Sequence, residues 1–408
     1  MEDALARVEW IGRRDMAEAL LKSIQPDDPE SFKSEIIEIG DNVRLSIVVS
    51  SAELGQMRAT MDDILACLSA VEGSLGVLEE QMVIRTLQVW VRLPYNVSGL
   101  PHDRSELLFR GGIPSKVMIQ SMDSWIQAMV IDEHGGGGGS DLRVTGRVLA
   151  KDEGVIAGTF VVDRLIELHF PACEILWNSS EGDTVSRGDR VLEISGPSNQ
   201  VLRCERILLN LLGRMSGVAT NTSTWASEAP GIEIACTRKT DWGLLDKWAV
   251  HIGGGLTHRL SRGDALMIKE NDLASLAPGV SDECTAVGIA VGGIDMDHHA
   301  EFVVVEVRDE CQALVTVRKW DEMQVDRGGC ERIVLLLDNM GPERCLAVHS
   351  TLVREGLREW CLLEGSGGIV FDSLEKWKDS GVDLISTSAL NRGAPPLDLT
   401  MMVEEVVE

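Results

Sequence analysis

A chain of 408 residues in which 38 Lys and Arg face 65 Asp and Glu carries a formal charge of −27, which argues against a surface built for nucleic-acid backbone or anionic lipid. Any anion it binds must therefore be met locally. No apolar run reaches the roughly 18 residues of a membrane helix, and the acidic opening Met1-Glu2-Asp3 is unlike a secretory signal, so a soluble cytoplasmic protein of two or three domains is expected.

An apolar stretch from Val8 leads into a helical segment around Ala17-Glu18-Ala19-Leu20-Leu21, broken by Pro26-Asp27-Asp28-Pro29. Two apolar-rich runs, 35–39 and 43–49, flank Gly40-Asp41-Asn42, whose residues suit a tight turn, so a β-hairpin is predicted. Over 52–71, Met57, Met61, Ile64, Leu65 and Leu68 recur at helical spacing. Residues 1–80 thus read as a small βαββα domain. In the hairpin and in Met57-Arg58-Ala59-Thr60-Met61-Asp62-Asp63-Ile64-Leu65 it resembles the small dimerising subunit of the KEOPS tRNA-modification complex. That resemblance implies KEOPS subunits as partners of residues 1–80.

Residues 81–116 have little periodicity and carry Pro94, Pro101 and Pro114, and they read as a connector. The glycines at 135–139 form a flexible run. Strands are predicted over 144–150 and 155–160, before the turn-rich Glu181-Gly182-Asp183, giving an α/β sandwich domain over 117–222. The nine cysteines include no CxxC pair and are odd in number, so they are expected to be reduced and to pack as small hydrophobes.

Beyond Thr220, short apolar runs alternate with helical stretches, the pattern of parallel βα units, and residues 223–400 read as an α/β barrel. Polar residues gather where the strands end: Thr237-Arg238-Lys239-Thr240, Lys269-Glu270-Asn271, Glu306, Asp338-Asn339, Glu364-Gly365-Ser366-Gly367-Gly368 and Ser386-Thr387-Ser388. In an α/β barrel all such ends open onto one face. Arg238, Lys239, His258, Arg259 and Lys269 would place five potential cationic donors there, which calls for an anionic ligand. Glu306 and Asp338 suit ribose hydroxyls, Mg²⁺ or a developing positive charge on a sugar, and the Ser366 and Ser386 loops offer backbone N–H groups to a phosphate. Together these describe a site for a sugar phosphate with a second anionic group.

Further motifs fall in order along the chain: Glu205-Arg206-Ile207-Leu208-Leu209-Asn210, Met215-Ser216-Gly217, Lys247-Trp248-Ala249-Val250, Gly253-Gly254-Gly255 with Thr257-His258-Arg259, and Leu337-Asp338-Asn339-Met340. With the strand ends, they resemble the carboxylating nicotinate-nucleotide pyrophosphorylases, or quinolinate phosphoribosyltransferases, over residues 117–400. The resemblance implies the fold of a type II phosphoribosyltransferase: an α/β sandwich domain plus an incomplete α/β barrel, in a homodimer or higher homo-oligomer whose sites borrow residues from a neighbour. It implies that quinolinate and phosphoribosyl pyrophosphate react with Mg²⁺ to give nicotinate mononucleotide, pyrophosphate and carbon dioxide. Carried over, Lys239, Lys269, Glu306 and Asp338 are catalytic. Thr237, Arg238, His258, Arg259, Ser366, Gly367, Gly368, Ser386 and Ser388 bind substrate, Arg206 reaches in from the other subunit, and Glu306 and Asp338 face the metal.

Four departures from the family pattern put the substrate in question: a shortened stretch after Thr240, Asp272 in place of a histidine, Val304 in place of a glutamate, and Ser388 in place of a glycine. A related transferase acting on another aromatic acid without decarboxylation is therefore an alternative, as is a KEOPS-associated interaction protein with a degenerate barrel. Lys247, inside an apolar helical stretch, reads as a snorkelling side chain, and His298-His299 beside Asp295 and Asp297 read as a solvated loop.

Overall fold

The computed structural model describes residues 4–24, 32–39, 42–51, 88–92, 100–133, 142–295 and 302–405. The predicted helix over 52–71, the glycine run 135–139 and the His298-His299 pair lie outside the described residues. The chain divides into two units, residues 1–99 and 100–408.

The first unit is an antiparallel sheet built from β1 (Ala4–Gly12), β2 (Phe32–Ile39), β3 (Asn42–Ser51) and β4 (Gln88–Arg92), in the order β2-β3-β1-β4, with α1 (Arg14–Ile24) following β1. The predicted hairpin is β2 and β3, paired from Ile39↔Asn42 to Phe32↔Val49. In β3, Val43, Leu45, Ile47 and Val49 are buried, the period of two that puts one face of a strand inward. Ala17 and Leu20, one turn apart on α1, are buried as well. The stretch read as a connector contributes β4, which pairs with β1 around Val8↔Val89. Five residues with so short an apolar pattern leave no strand signal of their own until the partner is known.

The second unit begins with a 3₁₀ turn at Ser105–Leu107 and a small ribbon of β5 (Phe109–Arg110) and β6 (Ile113–Pro114), also within the predicted connector. Next come α2 (Lys116–Asp132), capped by Ser115 accepting from Met118 N, then β7 (Arg143–Ala150), β8 (Gly154–Val155), α3 (Thr159–His169), β9 (Glu174–Trp177), β10 (Thr184–Val185), β11 (Arg190–Pro197) and α4 (Ser198–Glu228). The strand predicted over 155–160 is a correction: only Gly154–Val155 is extended, and α3 starts at Thr159. Gly158 there takes φ 99°, and its N–H, with that of Thr159, donates to the Glu181 carboxylate, so the chain turns into a helix where its apolar pattern suggests a strand.

The barrel strands and helices are β12 (Glu233–Cys236), α5 (Leu244–Ile252), β13 (Leu266–Ile268), α6 (Glu270–Leu276), α7 (Glu283–Gly292), β14 (Val303–Val307), α8 (Glu310–Arg327), β15 (Ile333–Asp338), α9 (Gly341–Arg354), β16 (Cys361–Ser366), α10 (Leu374–Trp377) and β17 (Leu384–Thr387). Six parallel strands run in the order β12-β17-β16-β15-β14-β13, and among the described residues the edge strands β12 and β13 share no ladder, so the barrel is incomplete. A single bridge, Ala235↔Leu256, extends the β12 edge. The last strand, β18 (Leu399–Glu405), leaves the barrel and completes the antiparallel sheet β18-β7-β11-β9.

Alternation along the barrel strands sorts two cores. Val304, Val334, Leu336 and Leu362 point inward with Ala265 and Phe302, whereas Val303, Val305, Ile333, Leu335, Leu337 and Leu363 join the large core that includes helix residues. The long helix α4 passes close to the segment before β18. A Cβ on Gly217 would lie 2.1 Å from the Pro395 carbonyl oxygen and 2.7 Å from Pro396 Cα. Gly217→Ala is therefore expected to destabilise the chain by about 1–3 kcal/mol or more, read as a lower guanidinium midpoint. A midpoint equal to that of the native chain would show that this contact yields freely.

The expectation of wholly reduced cysteines is corrected at Cys284 and Cys311, which a disulfide joins between the starts of α7 and α8. These helices pack side by side and hold the two Cα atoms 6.2 Å apart, within bridging range. Cys173, Cys204, Cys236, Cys345 and Cys361 are buried as small hydrophobes, and burial pushes Cys345 up to about 12 and Cys361 up to about 11. Among the described residues no helix is long and apolar enough to cross a membrane.

Candidate active site

Strand register sets the site. Parallel pairing puts Glu306, Leu336 and Glu364 at one level of the barrel, and Asp338, Ser366 and Ser386 at the next level toward the carboxyl ends. Because same-level side chains of parallel neighbours share a face, both layers continue the inward set of Val304 and Leu362.

At the β13 end, Lys269 caps α6. Its N–H donates to Asp272 Oδ2 at 2.9 Å, so the aspartate standing where the family pattern has histidine ties the first turn of the helix back to the Lys269 backbone. The Lys269 ammonium donates to Glu306 Oε2, while Val304, two residues earlier, is fully buried in the inner core. At the β15 end, Asp338 is partly exposed and accepts from Asn339 Nδ2 at 3.0 Å. Asn339 holds φ 53°, and its N–H donates to Ser366 O at 2.9 Å. Gly367, at φ 93°, leaves room for that side chain: a Cβ there would meet Asn339 Oδ1 at 2.3 Å. The Ser366 loop and the Asp338 strand end are thus interlocked. Ser386 Oγ donates to Ser366 Oγ at 3.3 Å, and Thr387 Oγ1 reaches Ile369 O, tying the second loop to the first. Gly368, at φ 63°, has open space beside it, and Ser388 O accepts from Arg392 N.

The β12 end carries Thr237, whose Oγ1 accepts from Lys239 N, and the exposed Arg238 and Lys239. A fully buried carboxylate organises this loop. Asp246 accepts from Asp241 N at 2.9 Å, from Trp242 N at 3.1 Å and from the Arg214 guanidinium at 3.0 Å, while Asn391 Nδ2 donates to Lys239 O. Lys247 is corrected from a snorkelling side chain to a buried one: it is 2 % exposed, and its ammonium donates to Thr257 O at 2.5 Å. Burial pushes its pKa down.

His258, buried at φ 51°, has both ring nitrogens engaged: Nδ1 accepts from Arg259 N at 2.7 Å, and Nε2 lies 3.2 Å from Glu364 Oε1. The other Glu364 oxygen lies 3.2 Å from His102 Nε2, and all three side chains are buried. Burial holds His258 below its usual range. Burial alone would raise the Glu364 carboxyl, but the facing His258 and the two imidazole hydrogen bonds outweigh it and hold the group well below its usual range. The Arg259 guanidinium is partly buried against Met267 Sδ, and burial together with the nearby Arg238 and Arg262 lowers its pKa.

The structure therefore brings together Lys269 with Glu306, Asp338 with the Ser366 and Ser386 loops, and Arg238 with Arg259. Among the described residues Arg238, Lys239 and Arg259 make no ion pair with a carboxylate, although Glu364 and Asp272 act on Arg259 through space. Arg206 stands exposed on α4, and among the described residues it makes no ion pair. Sequence reasoning passed over His102, Arg214, Asp246, Glu364 and Asn391 as working groups. Only Glu364 carried a signal, a carboxylate ending an apolar strand.

Two family models match this chain: quinolinate phosphoribosyl transferase, N-terminal domain, over residues 125–216, and quinolinate phosphoribosyl transferase, C-terminal domain, over residues 218–402. A probable nicotinate-nucleotide pyrophosphorylase [carboxylating] of Methanothermobacter thermautotrophicus is 36% identical over 267 residues, 64% of this chain and 88% of that one. The chloroplastic nicotinate-nucleotide pyrophosphorylase [carboxylating] of Arabidopsis thaliana is 31% identical over 65% of this chain and 75% of its own. Among solved structures, the nicotinate-nucleotide pyrophosphorylase from Francisella tularensis superposes with a TM-score of 0.59 at 25% identity, covering 70% of this chain and 96% of that one.

Proposed function

Because the chain belongs to the quinolinate phosphoribosyl transferase family, we propose that it transfers phosphoribosyl from phosphoribosyl pyrophosphate to quinolinate, releasing pyrophosphate and carbon dioxide and leaving nicotinate mononucleotide. The observation that carries this reading is the set Arg238, Lys239 and Arg259, which make no ion pair among the described residues of a chain with charge −27, on a barrel whose strands also end in Asp338 and two Ser/Gly loops. Such a pocket is complementary to two ring carboxylates and a pyrophosphate, and it repels its own members until they are bound.

In this reading Arg238, Lys239 and Arg259 hold the carboxylates and the leaving group, with Thr237 and His258 shaping their turns. The Ser366-Gly367-Gly368 and Ser386–Ser388 segments receive the 5-phosphate through backbone N–H groups. The pyridine nitrogen attacks the anomeric carbon as the bond to pyrophosphate breaks. Cations at the leaving group and carboxylates beside the oxocarbenium-like ribose both act more strongly in that transition state than before it. Loss of carbon dioxide then leaves the electron pair of the broken bond on the ring carbon beside the cationic nitrogen, which stabilises it until a proton from water completes the C–H bond.

The donor set fits Mg²⁺. Asp338 accepts only from Asn339 among the described residues, which leaves carboxylate lone pairs for a metal held mainly by substrate oxygens and water, whereas Glu306 is engaged by Lys269. The ion supplies charge neutralisation at pyrophosphate when bound. Arg206, exposed on α4, is assigned to the neighbouring subunit's site in a homodimer or higher homo-oligomer. For residues 1–80 the proposed partner is a KEOPS subunit, supported by the βαββ order of that unit; failure of the full chain to retain any purified KEOPS subunit would remove it.

The test is to incubate the full chain with quinolinate, phosphoribosyl pyrophosphate and Mg²⁺ and follow nicotinate mononucleotide and carbon dioxide, beside Lys239→Ala. Equimolar products, with a fall of about 10²-fold or more in the variant, are expected. Product from nicotinate but not from quinolinate would instead identify a transferase that does not decarboxylate. No product from either would overturn the reading.

A further inference from the structure

Residues 100–104 lie outside the stretches matched by either family model, yet they reach the barrel interior. Leu100 packs against the inner apolar cluster, and His102 is fully buried. Arg104 secures the segment: its N–H donates to Thr257 Oγ1 at 2.7 Å, and its guanidinium bonds Asp264 at 2.9 Å. His102 and His258 meet edge-on with ring centroids 4.9 Å apart, and each presents Nε2 to one oxygen of Glu364 at 3.2 Å.

Two imidazoles and a carboxylate with ligand atoms within 4.8 Å could hold a metal ion, but the hydrogen bonds assign another role. Because Arg259 N–H donates to His258 Nδ1, the proton of the neutral ring sits on Nε2, which then donates to Glu364 and has no lone pair to offer a metal. Each Glu364 oxygen already accepts from one imidazole.

We propose that His102 is a positioning residue for the anion pocket: through Glu364 it fixes the His258 ring, and through His258 Nδ1 it fixes the backbone that carries Arg259. His258 sits at φ 51°, a conformation that a non-glycine residue keeps only where its surroundings over-determine it. The donor from His102 is one of those determinants. Without it Glu364 keeps one donor, the His258 ring gains freedom, and Arg259 is presented to anions less often.

The turnover readout of this inference rests on the proposed reaction, whereas its binding readout does not. In the full chain, His102→Leu removes the donor but keeps bulk, His102→Gln extends an amide N–H toward the position of Nε2, and His102→Asn falls short of it. Inorganic pyrophosphate binding by calorimetry and the kcat and KM for quinolinate are measured for each. His102→Leu and His102→Asn are expected to weaken pyrophosphate binding and raise KM about tenfold with kcat within about threefold, and His102→Gln to return both to within about threefold of native, the scale of one hydrogen bond to a charged group. Unchanged pyrophosphate binding in His102→Leu, equal losses in the Gln and Asn variants, or a fall in kcat with KM unmoved would each overturn the proposal, as would a native chain that binds no pyrophosphate. Should His102→Leu fail to fold, the Gln and Asn pair decides. A native chain that binds pyrophosphate without turning over quinolinate would fail the reaction alone, and the binding comparison would still decide the role of His102.

Discussion

Replacing Lys269 by alanine is expected to cut kcat/KM for quinolinate by about two to three orders of magnitude, the usual loss when a preorganised charge is removed from a reacting centre. The helix cap at Asp272 holds the Lys269 backbone, and its ammonium lies against Glu306, whose side chain is 11 % exposed. In the proposed site, truncation removes a cation and also leaves that carboxylate without its partner where anionic substrates would bind. Adding Glu306→Gln to Lys269→Ala should therefore recover part of substrate binding, so that the combined loss is smaller than the product of the single losses. Steady-state kinetics on the four proteins measure this. Independent effects would mean that the pair does not act as a unit in the working site.

Removal of the buried carboxylate should have the largest effect on stability. Glu364→Leu strands two buried imidazole donors and is expected to cost about 3–5 kcal/mol, with Glu364→Gln milder because its amide oxygen still accepts. The same cluster sets an acid sensitivity. His258 has a folded pKa below its ordinary 6.5, so below about that pH the unfolded imidazole takes a proton that the buried ring refuses, and stability falls. Glu364 has a folded pKa below its ordinary 4.5, so its contribution is fully present above that value and is lost as pH falls further. The native chain should thus lose Tm from pH 7 toward 5 and lose it more steeply below 4.5. In Glu364→Gln the second limb should flatten. A second limb equally steep in both proteins would place the acid sensitivity elsewhere.

Three of the four departures from the family pattern gain physical meaning from the fold. Asp272 caps the helix that carries Lys269, and Val304 fills the inner core below Glu306. The shortened stretch after Thr240 is held by Asp246, which takes the backbone of Asp241 and Trp242, and Ser388 accepts a turn hydrogen bond from Arg392. Asp272, Val304 and Asp246 are built into the site's supports, unlike residues drifting in a degenerate barrel, whereas nothing in the structure explains the Ser388 side chain.

What the sequence determined by itself was local. Apolar runs of strand length punctuated by Thr237-Arg238-Lys239, Lys269, Glu306 and Asp338 announced parallel strands with decorated ends, because both the burial period and the strand-end position are encoded within a few residues. The β2–β3 hairpin was legible for the same reason. Tertiary structure alone decided the groups whose partners are distant. His102 lies 262 residues from Glu364 in a stretch without periodicity, Asp246 gathers Arg214 and Asn391 from other elements, and β4 and β18 exist only by pairing with β1 and β7. A buried polar side chain looks in sequence like a solvated one, since what distinguishes them is the partner that replaces water, and only the folded chain supplies that partner.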